Sequence, residues 1–365
     1  MITKEQAELF KKVITEAEGG FSIIFTQPDP DALGSAFAIA YMVREITNGK
    51  SVKVFHCGGF AHPMNRAIAN KFTLFDRVTS IANFTEKDNS NVILVDSSKV
   101  NDSRLGDLAS TIVPIVVVDH HRSSDIEQGK AGQCVIIEEI GASCTLVVEL
   151  WSLLGFSFEK VEQAIPTLLA LGIYNDTESL IDTTERDRKA YITVAEHIDH
   201  DEFNKLIRHD IPNSWFCYLE KALSTRKHLG DKTVVYLGEL NVSDADVLAW
   251  IAETLIRHAS VSLVVVAGML HDEKKAEKGR CNLEGKIRIS ARSANPSINL
   301  SQFLEDCFGG GTGAKMMPNG KGSGGGLVEV GIQPWLIDSP SLSEDARKAL
   351  HQFVSIRLTQ LVCRD

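Results

Sequence analysis

Hydrophobic and polar positions along the chain alternate between short apolar runs and longer stretches of helical spacing. Over residues 4–17, Phe10, Val13 and Ile14 recur on one face, which predicts a first helix. The continuous apolar run 21–25 then predicts a buried strand. It stops at QPDPD, where two prolines are expected to interrupt regular structure. Residues 32–46 read as helix. Strands are predicted at 52–55, 92–95, 115–118 and 135–137, and helices at 143–154 and 161–174. A charged helical stretch, 184–208, reads as a connecting region. A second alternating pattern follows, with strands at 233–237, 263–266 and 286–291 and a helix at 244–258.

Continuous apolar strands separated by helices imply a parallel sheet covered on both faces. The expected fold is therefore α/β. A parallel-sheet N-terminal domain with helices on both faces spans 1–185, a helical linker 186–228, and a smaller α/β C-terminal domain 229–365. The length of 365 residues fits two domains. The net charge of −10 argues against coating long duplex nucleic acid, and leaves room for a short nucleotide in a local pocket. The seven cysteines form no CxxC pair, which predicts reduced thiols in a cytoplasmic protein. No apolar stretch is long enough to predict a membrane span.

The chemistry gathers where strands end. Asp29 and Asp31 follow the first strand, Asp96 follows Val95, and Asp119, His120 and His121 follow Val118; Asp176 comes after the helix ending GIYN. In open parallel sheets, ligands bind beyond the carboxyl ends of the strands, so these side chains are expected to converge. Carboxylates with imidazole suit divalent cations such as manganese, and clustered acids with no cation would take up protons. Metal-assisted phosphoester hydrolysis is the chemistry such a set predicts. A lone aspartate after a strand is more often a turn or helix cap. Ser143, Cys144 and Thr145 read as a helix start rather than a nucleophile, and His56 as an ordinary, partly buried histidine.

The segments QPDPDALGSA, LVDSS, VVVDHHRS and LGIYNDTESL, in this order, resemble the four motifs of the DHH phosphoesterase superfamily. The stretch ISARSANPSINLSQFLEDCFGGG is similar to the associated C-terminal domain. Together the resemblance runs from about Phe21 to Gly311 and looks nearest to the RecJ-like oligoribonuclease and 3'-phosphoadenosine 5'-phosphate phosphatase branch. It implies that Asp29, Asp31, Asp96, His120 and Asp176 ligate metal. Asp96 would bridge two ions, Asp119 would orient a histidine, and His121 would face the phosphate or the attacking water. Catalysis thus falls to Asp96, Asp119, His120 and His121. Substrate contacts fall to His121, Arg292, Ser293, Gly310, Gly311 and Lys315, across a cleft between domains. The implied cofactor is Mn2+, with Mg2+ or Co2+ as alternatives. The implied partner is a small nucleotide or short oligonucleotide, with no membrane; a homodimer is compatible with it.

Two departures stand out. The family's histidine four residues before the first motif aspartate is Phe25 here, and the histidine after the glycine run is Thr312. They leave a catalytically impaired nucleotide-binding protein as an alternative. Cyclic-dinucleotide phosphodiesterase and pyrophosphatase activities of the same superfamily are others. The nine glycines of 309–326 read either as a surface loop or as an anion nest with Lys315 or Lys321.

Overall fold

Period-two burial sets up the first sheet. In β1 (Phe21–Phe25), Ile23 and Phe25 join one core and Ile24 another. The same division holds in β4 (Val92–Val95) and β5 (Pro114–Asp119), where Ile93, Val95, Val116 and Val118 face one side and Leu94 and Val117 the other. Both faces are covered, so the strands are apolar throughout. With β2 (Val52–His56), β3 (Thr79–Ser80) and β6 (Cys134–Ile137) they form a parallel sheet in the order β3-β2-β1-β4-β5-β6. This computed structural model describes residues 1–97, 103–121, 132–271, 283–310, 312–316, 321–329 and 344–363.

One face packs against α1 (Lys4–Glu16), α2 (Pro30–Ile46), α4 (Ser143–Leu153) and α5 (Ala164–Asp176), with Phe10, Ile14, Ile39, Leu146 and Leu169 fully buried. The other face meets short 3-10 turns through Leu105, Ile112, Ile81 and Phe84. The remaining helices of this part are α3 (Pro63–Lys71), α6 (Glu185–Ala195) and α7 (His200–Ile207). The chain divides into two compact units, Met1–Asp210 and Ile211–Asp365, so α6 and α7 belong to the first.

QPDPD is less disruptive than its prolines suggest. Asp29 is the N-cap of α2 and accepts the Ala32 N–H at 2.9 Å, while Pro30 takes the first helical position, where a missing N–H costs nothing. The helix therefore begins two residues earlier than expected and carries Asp31 in its first turn. Asp176 likewise closes α5 rather than following it.

The second unit contains α8 (Asn213–Thr225), β7 (Lys227–Leu229), β8 (Lys232–Asn241), α9 (Val247–Leu255), β9 (Leu263–His271), β10 (Leu283–Ser293), α10 (Leu300–Phe308), β11 (Thr312–Met316), β12 (Gly322–Glu329) and α11 (Glu344–Val362). Its mixed sheet runs β11-β12-β10-β9-β8-β7. Trp215, Leu248 and Ile251 pack on one face against Leu237 and Val264. Leu300, Leu304, Val354 and Leu358 pack on the other against Val265 and Ile289. The expected loop or nest over 309–326 is corrected here: 312–316 and 322–329 are paired strands, and β12 also pairs with β10. The backbone of β12 is engaged in ladders on both sides and that of β11 on one. Gly311, an expected substrate contact, and residues 317–320 lie outside the described residues. Among the described residues no helix is long and apolar enough to cross a membrane, and the cysteines are free thiols.

Candidate metal centre

The sheet order reverses between β1 and β4, which makes their carboxyl ends the place where loops diverge and a crevice opens. β5 lies next to β4, so Asp31, Asp96 and the 119–121 run, distant in sequence, meet there. Asp96 leaves β4 with φ 51°, in the left-handed region that a side chain enters at a cost. That turn holds Asp96 buried at the strand end.

His120 is the hub. It is buried, and its Nδ1 lies 3.0 Å from the Ile140 carbonyl. A carbonyl only accepts, so Nδ1 carries a proton and Nε2 is the nitrogen that faces the acids. That nitrogen faces Asp96 Oδ1 at 3.4 Å, Asp176 Oδ2 at 3.4 Å and Asp31 Oδ2 at 3.6 Å. Asp31, His120 and Asp176 offer ligand atoms within 4.8 Å of one another, and so do Asp96, His120 and His121. Three carboxylates and one imidazole nitrogen converge there, a donor set that suits a hard or borderline divalent ion. The residues therefore fit the implied metal.

Asp31 is held from a second direction. α4 points its N-terminus into the crevice, and its N-cap, Ala142, makes no side-chain cap bond. Asp31 supplies the cap from α2 instead: its Oδ2 accepts the Ser143 N–H and its Oδ1 the Cys144 N–H, both at 2.7 Å. Burial, reinforced by Asp96 and Asp176, nevertheless raises the Asp31 carboxyl to about 7. Burial and the same two neighbours push Asp29 well above the ordinary carboxylate range. Asp29 belongs to neither ligand group found among the described residues.

Asp119, fully buried, accepts at Oδ1 the N–H of His120 at 2.8 Å, the N–H of His121 at 3.2 Å and His121 Nδ1 at 2.7 Å. This fixes the His121 ring, which stays 45% exposed. Burial lowers the pKa of His121, but the Asp119 bond and the Asp96 charge outweigh it and hold it above the usual histidine value. Phe25 is fully buried and stacks on His56, whose Nδ1 bonds to the Gly58 carbonyl.

The substrate residues expected in the second unit are engaged locally. Arg292 pairs with Glu253 at 2.6 Å and donates to the Ala291 carbonyl and Ser290 Oγ. Ser293, buried, accepts the Asn295 N–H and has the Ser262 and Asn295 carbonyls within bonding distance. Gly310 is exposed after α10, and Lys315 lies on β11. Burial raises the Cys144 thiol well above its ordinary value, in keeping with a structural residue rather than a nucleophile.

The expected ligands missed a supporting layer. Ser143 Oγ donates to Asp96 Oδ1 at 3.1 Å. The chain leaves α5 just past Asp176 through three consecutive left-handed residues, Glu178, Ser179 and Leu180, stabilised by Ser179 N–H to Tyr174 O and Asp182 N–H to Thr177 O. Nothing in residue type or spacing signals that turn, because none of the three is a glycine.

Residues 22–173 match the DHH family, N-terminal domain. The uncharacterized protein MJ1633 of Methanocaldococcus jannaschii is 25% identical over 287 residues, covering 78% of this chain and 54% of that protein, so the chain spans about half the length of this relative. The crystal structure of an exopolyphosphatase-related protein from Bacteroides fragilis is similar at a TM-score of 0.67 and 15% identity, over 99% of this chain and 98% of that one, a likeness of fold.

Proposed function

Because residues 22–173 match the DHH family, N-terminal domain, we propose that this protein is a metal-dependent phosphoesterase of small nucleotides or short oligonucleotides, with Mn2+ as its ion. The observation that carries the reading is the convergence of Asp31, Asp96 and Asp176 on His120 Nε2, beside a His121 ring oriented by Asp119. Asp31, Asp96, His120 and Asp176 would hold the ion. When bound, it supplies Lewis acidity and a water of lowered pKa. His121, half exposed, is placed to meet the phosphoryl oxygens or to donate a proton to the leaving oxygen. Asp119 keeps its Nδ1 protonated. Arg292 would contact a phosphate by exchanging Glu253, itself 54% exposed, for the substrate.

The test is hydrolysis by full-length protein with Mn2+, Mg2+ or Co2+ of a panel: 3'-phosphoadenosine 5'-phosphate, linear and cyclic dinucleotides, short oligoribonucleotides and pyrophosphate. Manganese-stimulated release from a nucleotide supports the reading. Turnover of pyrophosphate alone would move the protein to another activity of the superfamily.

A second reading rests on Phe25. An aromatic ring stands, fully buried, where the family resemblance expects an imidazole, and Asp29 is engaged as a helix cap. This favours a single ion per chain and a protein that binds nucleotides with little or no turnover. Two tightly held ions per chain would remove it.

A further inference from the structure

Asp187 is a fully buried carboxylate outside the donor set just described. It sits on α6, and its Oδ2 accepts the Thr184 N–H at 2.8 Å, the Thr184 hydroxyl at 2.7 Å and the Gly141 N–H at 3.3 Å. Its Oδ1 accepts the Thr145 hydroxyl at 2.6 Å. Gly141 and Thr145 bracket Ser143 and Cys144. One anion thus grips both sides of the turn that enters α4, and between the two grips lie the N–H groups that hold Asp31 and the hydroxyl that meets Asp96.

The turn has no slack. A Cβ on Gly141 would stand 2.6 Å from both Asp187 Oδ2 and Thr177 Cγ2, and Thr177 directly follows Asp176. Ser143 is itself fully buried and touches two carboxylates of different elements, Asp31 of α2 and Asp96 after β4. Buried carboxylates crowded together are pushed to rotate away or to take up a proton, and fixed donors oppose both.

We propose that Ser143 and Asp187 are positioning residues of the metal centre: Asp187 pins the turn from Gly141 to Thr145, and Ser143 on that turn sets the Asp31 and Asp96 carboxylates in ligating orientation. The inference rests on the metal-centre reading above. Groups that orient ligands from behind cost about 10–100-fold in metal affinity when removed.

The experiment is Mn2+ titration by calorimetry on full-length protein, with thermal melting of the metal-free forms beside it. Ser143→Ala removes only the hydroxyl on Asp96. Thr145→Val keeps shape and removes one grip of Asp187. Asp187→Asn is the conservative control: its amide oxygen can take the place of Oδ2 with three donors, and its NH2 can donate to the Thr145 hydroxyl, which can turn to accept. Ser143→Ala and Thr145→Val should weaken Mn2+ binding by about tenfold or more, with a modest drop in the metal-free melting temperature where Asp96 or Asp187 loses its donor, and Asp187→Asn should bind close to wild type. Wild-type affinity in Ser143→Ala and Thr145→Val would overturn the inference while leaving the metal centre standing. A wild-type chain that takes up no Mn2+ would instead overturn the reading beneath it.

Discussion

Replacing Gly172 by alanine tests whether helix packing sets the metal centre. An added Cβ would lie 2.5 Å from Cys144 Sγ, 2.8 Å from Asp31 Cα and 3.1 Å from Asp31 Oδ1. None of these neighbours can yield cheaply. Cys144 is fully buried, its N–H holds Asp31, and the Asp31 main chain is part of α2. Overpacking a filled core costs about 1–3 kcal/mol. The better helix propensity of alanine returns roughly 1 kcal/mol. With a backbone atom in the way the upper part of the range applies, leaving a net loss of about 1–2 kcal/mol, or roughly 2–8 °C in melting temperature for a unit of this size. The part displaced is Asp31, so Mn2+ affinity should fall in the same variant. Melting of the metal-free protein and calorimetric Mn2+ titration read the two effects separately. Gly59→Ala is the control, since a Cβ there meets nothing within 4 Å. Adding Cys144→Ala to Gly172→Ala relieves the clash with sulfur but not the clash with the Asp31 main chain, so the double variant should recover part of the loss non-additively. A Gly172→Ala protein that melts and binds Mn2+ like wild type would refute the packing argument.

Other outcomes follow from the same geometry. His120→Ala should abolish the rise in melting temperature that Mn2+ gives the wild type, a rise worth about 2.7 kcal/mol at a hundredfold excess over Kd; a retained shift would exclude His120 as the hub. Because Asp31 titrates near 7 and Asp29 also lies high, these two groups hold more protons in the metal-free folded chain than in the unfolded one, so the stability they contribute should be lost as pH rises toward 7. Mn2+ uptake at pH 6 should then release protons, seen as a heat that varies with the buffer's ionisation enthalpy; a buffer-independent heat would contradict this. Phe25→His should raise bound Mn2+ from one ion per chain to two, at a stability cost of about 1–3 kcal/mol for a buried polar ring, and elemental analysis of the purified variant reports the count.

Much of the first unit was legible because its strands are apolar on both faces and stop abruptly at acids. Phe21–Phe25 appears as expected, and the runs ending at Asp96 and Asp119 appear within a residue or two. Helix ends were harder. Pro30 reads as a breaker in isolation, yet at the first helical position its ring is already in a helical φ. The glycines of 322–326 carry no side-chain pattern that distinguishes a strand from a loop; pairing with β10 and β11 decides it. α11 went unread because the pattern of Glu344–Val362 became meaningful only against the sheet face it covers. Phe25 was legible as an absence, and its stacking on His56 was not.

By itself the sequence marked the candidate residues: acids and histidines placed where apolar runs end, in an order that resembles the four motifs. Only the tertiary structure decided how they work together. It put His120 Nε2 among three carboxylates, made Asp31 the cap of a helix distant in sequence, and set Ser143 and Asp187 behind the site. The reason is physical. Residue type fixes what a side chain can donate or accept, while tautomer, cap and positioning partner depend on which groups a fold brings within about 3 Å. Those distances follow from the strand order and from Gly141 and Gly172 letting elements close on one another, and no local pattern in the chain encodes them.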